Sequence, residues 1–129
     1  MEYLTLDDIL RIRDIASAAA NDRFEIMSSN GLMSALAAPR RSAFGAEAFP
    51  SLEEKAGALV YSLIQNHPFW DGNKRIATAA LRLFLQRNSA RLATDDRRLK
   101  GFTIAIASGR LRDQALVAWL RERIEDLGS

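Results

Sequence analysis

Apolar residues along this chain recur mainly at helical spacing, and the most continuously apolar segment lies in its middle. Over residues 76–85 apolar side chains occupy nearly every side of a helix, and Arg82 is the only charge. This pattern is typical of a helix buried at the centre of a bundle. Because no segment shows sustained two-residue alternation, the sequence predicts an all-α fold with about six helices around a buried central helix.

Capping signals predict where the long helices before this central one begin. Thr5 followed by Asp8 predicts a first helix over residues 6–20. A Ser-x-x-Glu capping box that starts at Ser51 predicts another long helix, which runs up to Asn66. Both starts carry acidic residues in the first turn, as the helix dipole favours.

The stretch between these two helices is less regular. Residues 32–38 form a short apolar element that Pro39 must end, because the residue before a proline is pushed out of the helical region. Residues 40–49 show no clean period, and we interpret them as a loop or flap beside a functional site.

Two more helices are predicted after the central one. Acidic residues at positions 95 and 96 start the first of them, and Gly109 stops it as a C-terminal cap. The last helix is predicted from a single apolar stripe, which comprises Leu116, Trp119, Leu120, Ile124 and Leu127.

Composition limits the class of protein. The chain has 129 residues, 48% of them apolar, which predicts a single domain over residues 1–129. The net charge of only +2 gives no reason to expect a nucleic-acid partner. With no cysteine and one histidine, the chain cannot form a thiolate or His-rich zinc site. We expect a cytoplasmic protein without a membrane partner, because no signal-like start or membrane-length apolar run is visible.

The polar loop before the central helix has a predictable shape. Pro68 is expected to end the preceding helix and to hold His67 in an extended backbone, whereas Gly72 lets the loop turn sharply. Phe69 is expected to pack the loop onto the core. Trp70 is either an exposed aromatic of the turn or part of a surface for a partner.

The same loop opens into a helix start that suits an anion. The first turn of a helix exposes backbone N–H groups and carries partial positive charge. Two cations at such a start are mildly unfavourable unless an anion is bound, which favours a phosphate-binding role. The candidate phosphate-binding residues are Gly72, Asn73, Lys74 and Arg75.

Two further residues complete the candidate chemistry. Asp71 could hold Mg²⁺ together with phosphate oxygens and waters. His67 could take a proton from an attacking hydroxyl, because imidazoles exchange protons near neutral pH. The structural alternatives are a solvated His67 at a helix end, Asp71 as a turn residue, and Asn73 as no more than a helix cap.

At this loop the chain resembles a known family. The residues HPFWDGNKR at positions 67–75 resemble the signature of the Fic/Doc family, specifically its death-on-curing (Doc) branch. The resemblance extends to residues 3–5, 31–39, 49–56 and 104–109, and thus covers essentially the whole chain. It implies an all-helical Fic fold that uses ATP and Mg²⁺ to modify a hydroxyl of a protein.

Two positions bear on which group such an enzyme would transfer. Fic enzymes that transfer AMP carry Gly at the position of Lys74 and a second Arg at that of Thr78. The Doc branch shares the Lys and is known for transferring the terminal phosphate of ATP to a threonine of translation elongation factor Tu. The resemblance therefore implies a kinase toxin that arrests translation, with an AMP transferase or an inactive interaction module as alternatives.

The resemblance also implies residue roles and a partner. His67 would be the catalytic base, Asp71 the Mg²⁺ ligand, and the residues from Asn73 to Arg75 the phosphate binders. Doc toxins are restrained by an antitoxin, so we expect a Phd-like antitoxin whose disordered tail folds into a groove on this chain. No Glu here has Ser or Thr four residues earlier, as an inhibitory helix within the chain would require, which favours inhibition by the partner.

Overall fold

Side chains that cap helix starts account for the N-terminal architecture. The Thr5 hydroxyl accepts a hydrogen bond from the Asp8 N–H, and the Asp8 carboxylate accepts one from the Thr5 N–H. Ser51 and Glu54 make the same reciprocal pair at the start of a later helix. These two capping boxes satisfy N–H groups that a helix start otherwise leaves without partners. Both helices begin where the sequence predicted.

The computed structural model describes residues 1–128, and within them it has six α-helices. They are α1 (Leu6–Ala20), α2 (Ser29–Ala37), α3 (Leu52–Gln65), α4 (Asn73–Arg87), α5 (Asp96–Ala107) and α6 (Asp113–Arg121). A 3₁₀ turn over Ala38–Arg40 extends α2, so Pro39 tightens the helix end rather than stopping it abruptly. The predicted all-α fold with about six helices is confirmed.

Helix α4 lies at the centre of the bundle. Helices α1, α3 and α5 all pack against it. It ends at Arg87, and within residues 76–85 every residue except Arg82 is buried or half-buried, as the sequence predicted. The buried apolar residues of α4 are Ile76, Ala77, Ala80, Leu81, Phe84 and Leu85. The central position predicted for this helix is therefore confirmed.

The flap predicted over residues 40–49 is a small antiparallel hairpin. Strand β1 (Ser42–Ala43) pairs with β2 (Ala46–Glu47), and Phe44 at the tip is fully exposed. Behind the hairpin the buried Lys55 of α3 donates hydrogen bonds to the Phe49 carbonyl at 2.6 Å and to Glu47 at 3.0 Å. Burial alone would lower the pKa of Lys55, but the hydrogen bonds and charges of Glu47 and Tyr3 together outweigh it and the pKa is raised.

The C-terminal part differs from the predicted stripe. Helix α6 ends at Arg121, and Ile124 lies in strand β4 (Ile124–Asp126), which pairs with β3 (Ala90–Leu92). The prediction of one helix that includes Ile124 and Leu127 is therefore wrong. The strand forms because β3 offers backbone partners, and a partner that distant in sequence leaves no local signal.

The two end segments of the described chain meet at the C-terminal end of α4. The Glu2 N–H donates to the Asn88 side chain at 2.8 Å, and the Leu127 N–H donates to the Ser89 carbonyl at 2.7 Å. Asp8 accepts a hydrogen bond from Arg87 at 2.7 Å, and this bond holds the pKa of the Asp8 carboxyl well below its usual range.

Within residues 1–128, no helix is both long enough and apolar enough to cross a membrane.

Candidate active site

The loop between α3 and α4 starts with an uncommon backbone conformation. His67 has a φ of +47°, in the left-handed region, so the prediction of an extended backbone at this residue is wrong. Asn66 still has helical dihedrals, so the chain leaves the end of α3 at His67. His67 is exposed at this bend.

The loop is fixed by pairing with a distant segment, residues 24–28. Ile26 and Phe69 form an antiparallel bridge. Phe69 is completely buried, which confirms that it packs the loop onto the core, whereas Trp70 is 67% exposed. Three backbone hydrogen bonds join the two segments: Met27 N to Pro68 O at 2.8 Å, Ser28 N to Pro68 O at 3.1 Å, and Trp70 N to Glu25 O at 2.9 Å.

The side chain of Asn73 is an internal brace of the loop. It is buried, its Oδ1 accepts from the Phe69 N–H at 3.0 Å, and its Nδ2 donates to the Phe69 carbonyl at 2.8 Å. Both polar ends of the amide are therefore used inside the protein. If Asn73 contacts a phosphate, as the sequence predicts, its backbone N–H in the first turn of α4 is the group that would donate the hydrogen bond.

Gly72 occupies the N-cap of α4 with a φ of +76°, as the predicted sharp turn requires. A glycine has no side chain with which to cap the helix, so the first N–H groups of α4 receive nothing from this position. The Asp71 carboxylate accepts a hydrogen bond from the Gly72 N–H at 2.7 Å. This bond places a carboxylate directly beside the helix start.

The predicted site residues line one cleft. Its volume is about 240 Å³, and it lies against the first turn of α4. The cleft is lined by Ile64, His67, Asp71, Gly72, Asn73, Lys74, Arg75 and Ala107. All six site residues singled out from the sequence are among them. The loop thus brings a possible base, a carboxylate and two cations to the same small space.

Two apolar residues of the cleft were not predicted. Ile64 comes from the last turn of α3 and Ala107 from the end of α5. A signal for Ala107 existed, because it lies within the stretch 104–109 that resembles Doc proteins. Ile64 had no such signal, since its spacing in the apolar face of α3 is that of an ordinary core residue.

The start of α4 carries no acidic residue, unlike the first turns of α1, α3, α5 and α6. The first turn of α4 contains Lys74 and Arg75, both exposed, and no acidic residue. Two positive side chains beside the positive end of the helix dipole favour a bound anion. A phosphate group fits this arrangement, because Arg can donate two parallel hydrogen bonds and Lys supplies a further charge.

Asp71 is the one carboxylate that lines the cleft. In the part of the chain that the structure describes, no three His, Cys, Asp or Glu side chains cluster as a metal site would require. A hard cation bound here would take Asp71 as its protein ligand and the remaining oxygens from phosphate and water. The residues fit Mg²⁺ that arrives with a polyphosphate.

Comparison with known proteins identifies the class that this fold and cleft define. Residues 3–85 match the Fic/DOC family, a range that includes the whole 67–75 loop. The chain therefore belongs to the Fic/DOC family, as its resemblance implied.

A relative within this family is Toxin Doc of Mycolicibacterium smegmatis. The two sequences are 39% identical over 94 residues, which cover 73% of this chain and 70% of that protein.

Proposed function

We propose that the protein is a Doc-type toxin of a toxin–antitoxin system that acts as a protein kinase. It transfers the γ-phosphate of ATP to a hydroxyl of translation elongation factor Tu, on a threonine, and so arrests translation. The observation that carries the proposal is the cleft, in which His67, Asp71, Lys74 and Arg75 come together in a member of the Fic/DOC family. The relative named Toxin Doc supports the toxin role.

Phosphate binding falls to the first turn of α4. The backbone N–H groups of Asn73 to Arg75 and the side chains of Lys74 and Arg75 hold the phosphates of ATP. Phosphoryl transfer depends mainly on positioning and on neutralising charge, which this set of donors and cations can supply. Gly72 contributes by keeping the helix start open to a ligand.

Asp71 and His67 have different roles in the transfer. Asp71 would hold Mg²⁺, which would neutralise charge on the phosphate oxygens. His67 takes the proton of the target hydroxyl as its oxygen attacks the γ-phosphorus. The bond from that phosphorus to the bridging oxygen breaks, and ADP leaves.

Lys74 and Thr78 favour transfer of the terminal phosphate rather than AMP. Thr78 occupies the place of the second Arg of AMP-transferring Fic enzymes, and its hydroxyl donates to the Lys74 carbonyl at 2.9 Å. A neutral side chain turned to the helix backbone cannot take over the phosphate grip of an Arg. This difference supports the kinase reading over the AMP transferase.

The decisive experiment determines which phosphate of ATP is transferred. The pure protein is incubated with elongation factor Tu and with ATP labelled on either the γ- or the α-phosphate. We expect label on the factor from γ-labelled ATP only. Transfer of the α label would identify an AMP transferase and overturn the kinase proposal.

A catalytically inactive interaction module is tested separately. His67→Ala should lower the transfer rate about a hundredfold or more, because general-base catalysis contributes about that much, and should abolish growth arrest on expression. Gln86→Ala, at an exposed position near the other end of α4, is the control and should change neither. Growth arrest that survives His67→Ala would favour the module.

The proposed partner is a Phd-like antitoxin whose tail binds in a groove of this chain, in the cytoplasm where translation takes place. It is supported by the relative's name and by the lack of an inhibitory Ser/Thr–Glu pattern in the sequence. Co-expression with the neighbouring small gene should restore growth, and the purified product should block phosphate transfer. A neighbour that does neither would contradict the partnership.

A further inference from the structure

The loop of the candidate site rests on an aromatic ring from outside the motif. The ring of Phe24 lies directly against Gly72, and a Cβ atom added at Gly72 would meet the ring carbons Cδ2, Cε2 and Cγ at 2.5, 2.6 and 2.8 Å. These distances are shorter than any ordinary carbon contact. Phe24 itself is only 5% exposed, so the ring is enclosed by protein on its other sides.

We propose that Phe24 is a positioning residue of the site: its ring holds Gly72 in the left-handed conformation that aligns Asp71 and the first turn of α4 for anion binding. The proposal rests on the proposed function, because its first test measures the affinity for MgATP. Phe24 does not line the cleft, so its ring would act on the site through its contact with Gly72.

Phe24 can serve as a support because its backbone is itself anchored to α1. Its N–H donates to the Ser17 hydroxyl at 3.1 Å, and its carbonyl accepts from the Arg13 guanidinium at 3.4 Å. Arg13 is in turn oriented by Asp14, whose carboxylate lies 2.7 Å from its Nε. The ring thus transmits the position of α1 to the loop.

The position of Gly72 matters because both halves of the site depend on its backbone. The Gly72 N–H binds the Asp71 carboxylate, and the Gly72 carbonyl accepts the hydrogen bond from Ile76 N at 2.8 Å that starts α4. A glycine samples a wide range of dihedral angles when nothing confines it. Without the ring, the loop would have to be ordered when the ligand binds, which weakens binding.

The first test removes the ring. In Phe24→Ala, we expect the affinity for MgATP, measured by calorimetry, to fall about tenfold or more, because preorganisation of charged hydrogen bonds is lost. Phe24→Leu restores part of the bulk and should bind with intermediate affinity. The matched control is Phe102→Ala, which removes a ring that is 2% exposed and stacks on Trp119 in another part of the core.

Both alanine variants should lose thermal stability, so stability does not distinguish them. The affinity for MgATP distinguishes them, because only Phe24→Ala should bind it more weakly. The affinities are compared at a temperature at which each variant is folded. Equal affinities in the wild-type protein and Phe24→Ala would overturn the proposal. An equal loss in both alanine variants would do so as well.

A double-mutant cycle with Gly72→Ala tests whether the contact itself is responsible. Alone, Gly72→Ala places a methyl group inside the Phe24 ring and should weaken binding of MgATP strongly. In the Phe24→Ala background the clash is gone and only the strain of alanine at a φ of +76° remains, so the same substitution should weaken binding less. Additive losses in affinity would show that the ring does not act through Gly72.

Hydrogen exchange separates this proposal from the proposed function. The Phe69 and Trp70 N–H groups are bonded to Asn73 and Glu25, and they should exchange at least about tenfold faster in Phe24→Ala but not in Phe102→Ala. If the wild-type protein fails to bind MgATP, the kinase proposal fails, and exchange still decides whether Phe24 orders the loop. Unchanged exchange would reject the positioning role.

Discussion

The starts of α3 and α4 differ in their caps and in the charge of their first turns. At the start of α3, Ser51 and Glu54 satisfy the first N–H groups, and acidic residues follow as the dipole favours. At the start of α4 stands Gly72, which offers no capping side chain, and two cations follow it. The first start is capped by its own side chains, whereas the second has no side-chain cap, as the proposed binding of an anion requires.

Two lysines show the same difference. Lys55, in the first turns of α3, is 2% exposed, and its ammonium group is bonded to oxygens of the flap. Lys74, in the first turn of α4, is exposed at the rim of the cleft. A lysine whose charge is neutralised by its own chain serves stability, and one that faces a cleft can serve a ligand.

The largest effect should follow from removing the positive charge of Lys74 at the start of α4. Lys74→Ala should lower phosphate transfer about a hundredfold, because a charge that neutralises the transferred phosphate is lost. Stability should instead rise by about 0.3 kcal/mol or more, since a cation no longer opposes the helix dipole. Radiolabel transfer and urea unfolding measure the two quantities.

Arg97→Ala is the control, because Arg97 is an exposed cation that lines neither this cleft nor the neighbouring groove beside Lys74 and Arg75. It should leave the transfer rate unchanged. A parallel loss of activity and stability in Lys74→Ala would mean that Lys74 supports the fold, and the comparison of the two helix starts would fail.

A smaller effect, on stability alone, is expected at Lys55, near the capped start of α3. Lys55→Met keeps the length of the side chain but leaves Glu47 and the Phe49 carbonyl without their donor. The free energy of unfolding should fall by about 1–3 kcal/mol, the cost of an unsatisfied buried polar group. Calorimetry should show unchanged affinity for MgATP below the melting temperature, and a weaker affinity would tie the flap to the nucleotide.

Removing one cap should have a still smaller effect. Ser51→Ala deletes the hydroxyl that accepts from the Glu54 N–H, and it should lower stability by about 1 kcal/mol. MgATP affinity should not change, because the cleft is at the start of the next helix. A stability loss near zero would indicate that water replaces the cap.

A further change, which is confined to acid pH, concerns the capped start of α1. The pKa of Asp8 is lower in the folded protein than in the unfolded chain, because Arg87 donates a hydrogen bond to it. Its contribution to stability is therefore fully present above about pH 4 and is lost as the pH falls further. Melting temperatures of the wild-type protein and Asp8→Asn should converge below that pH, and a constant difference would contradict the assignment.

Much of the fold could be predicted because its signals are local. Caps such as Ser51 fix helix starts within a few residues, and the apolar faces of the helices repeat at a regular spacing. What could not be predicted depends on partners far along the chain. Ile124 fits a helical stripe, and only its pairing with Leu92 makes it part of a strand.

The candidate site shows the same limit. The motif predicted which residues share the cleft, because they are neighbours in one loop. It did not predict that the Asn73 side chain is turned inward to Phe69, or that His67 adopts a left-handed backbone. The motif also did not predict that the loop pairs with residues 24–28, because no signal in the loop itself points to that segment.

The meeting of the two end segments at the far end of α4 has a practical consequence. Glu2 and Leu127 are both fixed next to residues 88 and 89, at the opposite end of the helix from the cleft. A helix of 15 residues is roughly 20 Å long, so a fluorophore attached beside Glu2 or Leu127 stays clear of a nucleotide in the cleft.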